Sequence, residues 1–152
     1  MTNNLALQDL WPLNTCFGCG PLNRDGMHLK SYWSADLQYV SATYTAEAKY
    51  NTGFPGVMFG GTVASLIDCQ SIWTAIAFAH KAENRQIDAT SGIVYVTKQI
   101  TVKYIRGTPL EEPVYLKSWI EGDIGKEMTV LCELGTRDKL TATGKTVAVR
   151  IG

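Results

Sequence analysis

Apolar positions change their period twice along the chain. Residues 28–45 are rich in Tyr, Trp, Val and Thr around a turn signal at Ser34-Ala35-Asp36, the pattern of two strands or one hairpin. A Gly and Pro cluster follows, Asn51-Thr52-Gly53-Phe54-Pro55-Gly56, and then Phe59-Gly60-Gly61-Thr62. Residues 63–80 run on without a breaker, and Val63, Leu66, Ile67, Trp73, Ile76 and Ala77 recur at three- and four-residue spacing, which predicts a helix. Ile72 and Phe78 place apolar groups on its other faces, so the helix is covered nearly all round.

After the polar link 81–91 the period shortens, predicting strands over 92–106, 114–121, 127–134 and 139–151. Val94, Val96, Ile100, Val102 and Tyr104 share one face of the first of these, and Met128, Val130, Cys132 and Leu134 one face of the third. In the last, the apolar phase moves from Leu140 and Ala142 to Val147, Val149 and Ile151, which predicts a bulge at Gly144. The short links 122–125 and 135–138 favour antiparallel hairpins. Pro12, Gly18, Gly20, Pro21 and Gly26 make residues 1–27 an irregular arm. The sum is one α+β domain over residues 1–152, an antiparallel sheet wrapped around a long central helix. Such a sheet leaves its edges and one helix end open, so a homodimer, or a dimer of dimers, is expected.

Composition narrows the partners. Hydrophobic residues make up 45% and charged residues 18% of the 152, enough for a core and too little charge for a disordered chain. Fourteen basic residues balance fourteen acidic ones, which argues against a nucleic-acid surface. Asp68 and Gln70 interrupt the most apolar stretch, 57–79, which argues against a membrane span. Four cysteines, at 16, 19, 69 and 132, form no evident disulfide framework, and the chain starts without a signal-peptide pattern; reduced thiols and a cytoplasmic location are expected. Cys16-x-x-Cys19 lacks a second Cys or His pair at usable spacing, so no metal is expected and the pair reads as small buried residues. Cys69, with no histidine nearby to form its thiolate, reads as packing, as do Trp73, Phe54 and Tyr104.

Two features carry candidate chemistry. Gly60-Gly61 allow close backbone approach at a helix start, where the first N–H groups lack intrahelical partners and face the positive dipole end. Those donors suit a developing oxyanion. Asp68 is an acid within an otherwise apolar helix, expensive to bury unless paired or functional, and so a candidate base or nucleophile; a cap or an intersubunit ion pair is the structural alternative. Gly61 and Asp68 stand two turns apart, roughly 10 Å along one side of the helix. One carbonyl does not comfortably reach both. Two antiparallel copies across a two-fold axis bring the glycine of one chain to the aspartate of the other.

Here the sequence resembles the hotdog-fold acyl-CoA thioesterases, in the branch that includes the phenylacetate-pathway enzymes. Cys16-Phe17-Gly18-Cys19-Gly20 and residues 23–29 resemble the N-terminal signature of one subgroup, C-F-G-C-G-x-x-N-x-x-G-M-x-L. Residues 53–61 with Leu66-Ile67-Asp68 resemble the loop G-x-P-G-x-x-H-G-G and the acid nine residues after its histidine, and residues 96–106 the strand that follows. The resemblance implies a hotdog fold, hydrolysis of an acyl-CoA to free acid and CoA without a cofactor, Asp68 as nucleophile or general base, and Gly60 and Gly61 as carbonyl-polarising donors. It also implies a helping hydroxyl at Thr97, although simple alternation puts Thr97 on the wrong face unless the strand is locally irregular. Asn51 or Thr52 is nearest to a polar residue that relatives use upstream of the loop. Phe59 stands where the family has its histidine, a loop-supporting residue, which leaves a non-catalytic acyl-CoA or acyl-group binder as the alternative. Dehydratases of the fold need a catalytic histidine, and only His28, in the arm, and His80, at the helix end, are present. Lys103, Arg106 and Lys126 are candidates for the CoA phosphates.

Overall fold

The computed structural model describes residues 5–152. Its elements are β1 (Ser31–Trp33), β2 (Val40–Thr45), α1 (Gly60–Ala82), β3 (Tyr95–Tyr104), β4 (Pro113–Glu121), β5 (Glu127–Gly135) and β6 (Leu140–Arg150). The strands form one sheet in the order β1-β2-β4-β5-β6-β3, antiparallel throughout, with α1 packed against it. This is the expected α+β arrangement of the hotdog fold. The hairpin β1–β2 closes where the turn signal lies: Ser34 Oγ donates to Asp36 and accepts the N–H groups of Gln38 and Tyr39.

Helix α1 is apolar and long enough to cross a membrane by composition, but most of it is buried in the fold. Val63, Leu66, Ile67, Trp73 and Ile76 form its core face. The covering is not complete. Gly61 is exposed, and Ala64, Ser65, Asp68 and Ile72 are half-buried, so one stripe at three- and four-residue spacing remains open along the helix.

Two expectations about strand phase need correction. The β3–β6 register pairs Thr97 with Ala148 and Gln99 with Val147, so the extra residue is Lys98 in β3 and the bulge lies there. Tyr95 and Thr97 therefore point inward with Ile100 and Val102, while Val96 is turned outward and exposed. Gly144 is no bulge: it pairs regularly with Val102 and Cys132. The inner face of β6 is Ala142, Gly144, Thr146 and Ala148, small because α1 approaches closely; a Cβ on Gly144 would stand 2.3 Å from Ile67 Cγ2. Valines on the outer face of β6 created the apparent phase change.

A chain of buried polar groups crosses this core. Gln8 bonds Ser31 with both ends of its amide, Ser31 Oγ donates to Gln70 Oε1 at 2.7 Å, and Gln70 Nε2 donates to Val40 O and Ser118 Oγ. Each buried amide is thereby satisfied, and the arm, β1, β2, β4 and α1 are tied together. The described part of the arm, residues 5–27, is irregular apart from a 3-10 turn at Leu7–Leu10, yet Leu7, Cys19 and Met27 are buried in the core, as is Leu29 just after it.

Candidate functional site

Asp68 projects from the open stripe of α1 towards β3. Thr97 donates its hydroxyl hydrogen to Asp68 Oδ1 in a short contact. The bulge at Lys98 makes this meeting: without the extra residue, Thr97 would share a face with Gln99 on the outer side of the sheet. Asp68 and Thr97 form a polar wall of a cleft of about 270 Å³ between α1, β3 and the arm, whose remaining lining is largely apolar and includes Ile72, Trp73, Ile76 and Tyr95. An apolar pocket with a carboxylate at its wall can hold an acyl chain and present its carbonyl to an acid or base.

Gly60 and Gly61 lie at the first turn of α1, after Phe59 at the cap. Thr62 and Val63 are the first helix residues whose N–H groups return to the chain, both to Phe59 O, so the two glycine N–H groups stand ahead of the hydrogen-bonded ladder. The Phe59 ring folds onto Gly61, where a Cβ would come within 2.5 Å of Phe59 Cε1, and Phe59 remains exposed. Tyr104, read from the sequence as core, is 53% exposed instead; its hydroxyl donates to Gly60 O at 2.7 Å and holds the helix start against the end of β3. Phe54 is likewise exposed rather than core. Tyr104 is the supporting residue that sequence reasoning missed, and the signal was present: it shares the inward phase of Ile100 and Val102 two residues before the strand pattern ends.

The other candidates do not converge on Asp68 within one chain. The Asn51 amide is occupied locally, donating to Ala48 O and accepting from Gly53 N–H, and Asn51 lines a separate depression with Phe54 and Pro55. Lys103 is exposed on the outer face of the sheet, beside Trp119 and Leu131. Arg106 and Lys126 are exposed in links beyond the strands. Neither histidine approaches the cleft lining: His28 contacts Asn23 O in the arm, and buried His80 donates from Nδ1 to Ile76 O and pairs through Nε2 with Ser91 Oγ.

Cys16 and Cys19 correct another expectation. Cys19 is buried but Cys16 is exposed, and the fold supplies a third sulfur from α1, with the Sγ atoms of Cys16, Cys19 and Cys69 all within 4.8 Å of one another. Fifty residues separate Cys19 from Cys69, a spacing that no motif search would pair. Side-chain contacts with Cys19 and Cys69 hold the Cys16 thiol far below the ordinary thiol range, and the same contacts push the thiols of Cys69 and Cys19 up.

Comparison with known proteins gives a consistent picture. Residues 55–143 match the family model described as the thioesterase superfamily. No curated protein matches the chain in sequence. Among solved structures, a thioesterase superfamily protein of Shewanella loihica is 27% identical, with a TM-score of 0.65 over 82% of this chain and 91% of its own. The PaaI protein of the E. coli phenylacetic acid degradation operon is 16% identical with a TM-score of 0.61, over 75% of this chain and 73% of its own. A Streptococcus mutans protein bound to acetyl CoA is 17% identical with a TM-score of 0.62, over 82% of this chain and 87% of its own. The last two share the fold.

Proposed function

The chain belongs to the thioesterase superfamily, and from that premise we propose that it hydrolyses an acyl-CoA thioester to the free acid and CoA in a site shared by two protomers of a homodimer. The observation that carries this reading is the Asp68–Thr97 pair at the wall of an apolar cleft. Thr97 engages Oδ1, which leaves Oδ2 to face a substrate. The acetyl CoA bound to the Streptococcus mutans relative supports CoA as the carrier.

In the reaction, the thioester carbonyl lies against the N–H groups of Gly60 and Gly61 at the start of α1, which stabilise the oxyanion as it forms. Asp68 acts from the other protomer, either removing a proton from water as it attacks or attacking the carbonyl itself. The C–S bond breaks, the CoA thiolate takes up a proton, and with Asp68 as nucleophile water then cleaves the acyl-aspartyl anhydride. Roughly 10 Å separate Gly61 from Asp68 along a single helix, so one carbonyl draws on two chains. Gly61 and Asp68 lie on the one open stripe of α1, and β3 lies at an open sheet edge; both features support a second protomer packing here with its helix antiparallel. A cytoplasmic location is part of the same proposal, supported by four free cysteines.

A specific observation favours a second reading, acyl-CoA binding without turnover. Phe59 replaces the histidine expected at the loop, and its ring lies over Gly61, one of the two donors. The two readings part on one experiment: release of free CoA from short, medium and aromatic acyl-CoAs by the protein and by Asp68→Asn. Turnover that falls at least about a thousandfold in the variant supports hydrolysis at Asp68. Tight binding with no turnover in either protein supports the binder, and restoration of turnover by Phe59→His would complete that case.

A further inference from the structure

We propose that Cys16, Cys19 and Cys69 form a binding site for one thiophilic d10 metal ion, Zn²⁺ or Cu⁺, at the wall of the cleft beside Asp68. The cluster joins two distant parts of the chain, the arm and α1, and the packing around it is specific. Gly18 lies directly over Cys69, where any Cβ would come within 2.4 Å of its Sγ, so the glycine between the two arm cysteines is what lets the loop close onto the helix sulfur.

The spacing fits one ion. With metal–sulfur bonds of about 2.3 Å, two sulfurs on a tetrahedral ion stand about 3.8 Å apart. Cys16 Sγ and Cys69 Sγ are 3.8 Å apart, and no pair in the cluster exceeds 4.8 Å, so the widest pair has to close by at most about 1 Å. The surroundings favour thiolates. Trp73 Nε1–H donates to Cys19 Sγ at 3.3 Å, as outer partners do that orient metal-bound thiolates. Ion binding displaces the thiol protons of the cluster to solvent.

Soft thiolate ligands select Zn²⁺ or Cu⁺ over oxygen-seeking ions. Three sulfurs can hold Cu⁺ alone, whereas Zn²⁺ takes a fourth ligand, and the exposed side of Cys16 leaves that position to water. The site does not depend on the thioesterase reading, because uptake is measured without turnover.

The test uses the full chain, reduced, freed of metal and kept anaerobic. One arm offers Zn²⁺, with Co²⁺ as its spectroscopic substitute, and the other offers Cu⁺ buffered by a competing ligand. Native mass spectrometry reads the stoichiometry and thiolate-to-cobalt charge-transfer absorption reads the ligands. One ion per chain is expected, with affinity at least about tenfold weaker in Cys16→Ser and Cys69→Ser and unchanged in Cys132→Ser, whose sulfur is buried in β5. Retention in one arm only identifies the ion. Cys16 is exposed, so Cys16→Ser keeps the fold, and circular dichroism verifies this. No retention in either arm, equal affinity in Cys16→Ser, or a disulfide formed under these reducing conditions in place of metal uptake would overturn the proposal.

Discussion

Thr97 donates a hydrogen bond to Asp68 across the space between β3 and α1, and a single extra residue, Lys98, is what turns Thr97 towards it. The carboxylate is thereby oriented by a β-branched side chain with little rotameric freedom. Thr97→Val keeps that shape and removes the donor. Its kcat for CoA release is expected to fall at least about tenfold with little change in melting temperature, while Thr97→Ser stays close to the parent. Steady-state kinetics on the best acyl-CoA of the panel check this, and equal kcat values for the parent and Thr97→Val would remove Thr97 from the site.

Tyr104 ties the end of β3 to the first residue of α1 through its bond to Gly60 O. Because Tyr104 is half-exposed, Tyr104→Phe is expected to cost below about 1 kcal/mol of stability. The larger effect is on turnover. A looser glycine turn places the N–H donors less well, so kcat/KM is expected to fall several-fold, a comparison of kinetics with urea unfolding being the measurement.

Gly144 faces Ile67 at a distance that leaves no room for a methyl group. Gly144→Ala is expected to destabilise the protein by about 1–3 kcal/mol through overpacking, read as a lower denaturant midpoint at constant slope. Ile67→Leu in the same chain takes away the β-branch methyl that clashes while keeping the side-chain volume, and is expected to recover part of the loss, because neighbouring substitutions of this kind couple.

Cys16 differs from the other three cysteines in exposure and in thiolate character. Its pKa is lowered, so the thiolate persists as pH falls through the neutral range, whereas Cys69, Cys19 and Cys132 have raised values and stay protonated there. Brief alkylation of the metal-free protein at about pH 6 is expected to label Cys16 alone, at a rate that changes little up to about pH 8. Peptide mass mapping reads the site.

Much of this architecture was legible in the sequence because hydrophobic period reports burial. The helix predicted over 63–80 extends to Gly60–Ala82, and the four later strands and their hairpins follow the predicted spans closely. The misreadings share a cause. Where α1 presses on β6, the inner face needs small residues, so Gly144 and Ala148 looked like a break in the pattern while Val147 and Val149 on the outer face looked like core. In β3, alternation alone could not reveal that Lys98 is an inserted residue, although an inward Thr97 required one. At the site, Asp68 stood out because a carboxylate is conspicuous in an apolar helix. Cys69 did not, since a buried cysteine reads as packing until the arm folds two more sulfurs onto it.

The claim that one carbonyl is served by two chains is tested most directly by subunit complementation. Gly60 occupies the first position of α1, where proline is tolerated, so Gly60→Pro removes one N–H donor while keeping the helix start. Asp68→Asn removes the acid. Each variant alone is expected to be nearly inactive, but after they are unfolded together and refolded, half of the dimers pair one chain of each kind, and one of the two sites in each such dimer is intact. Recovery to about a quarter of the parental CoA release per chain is expected. A mixture no more active than its separate components, although mass spectrometry shows mixed dimers, would contradict it.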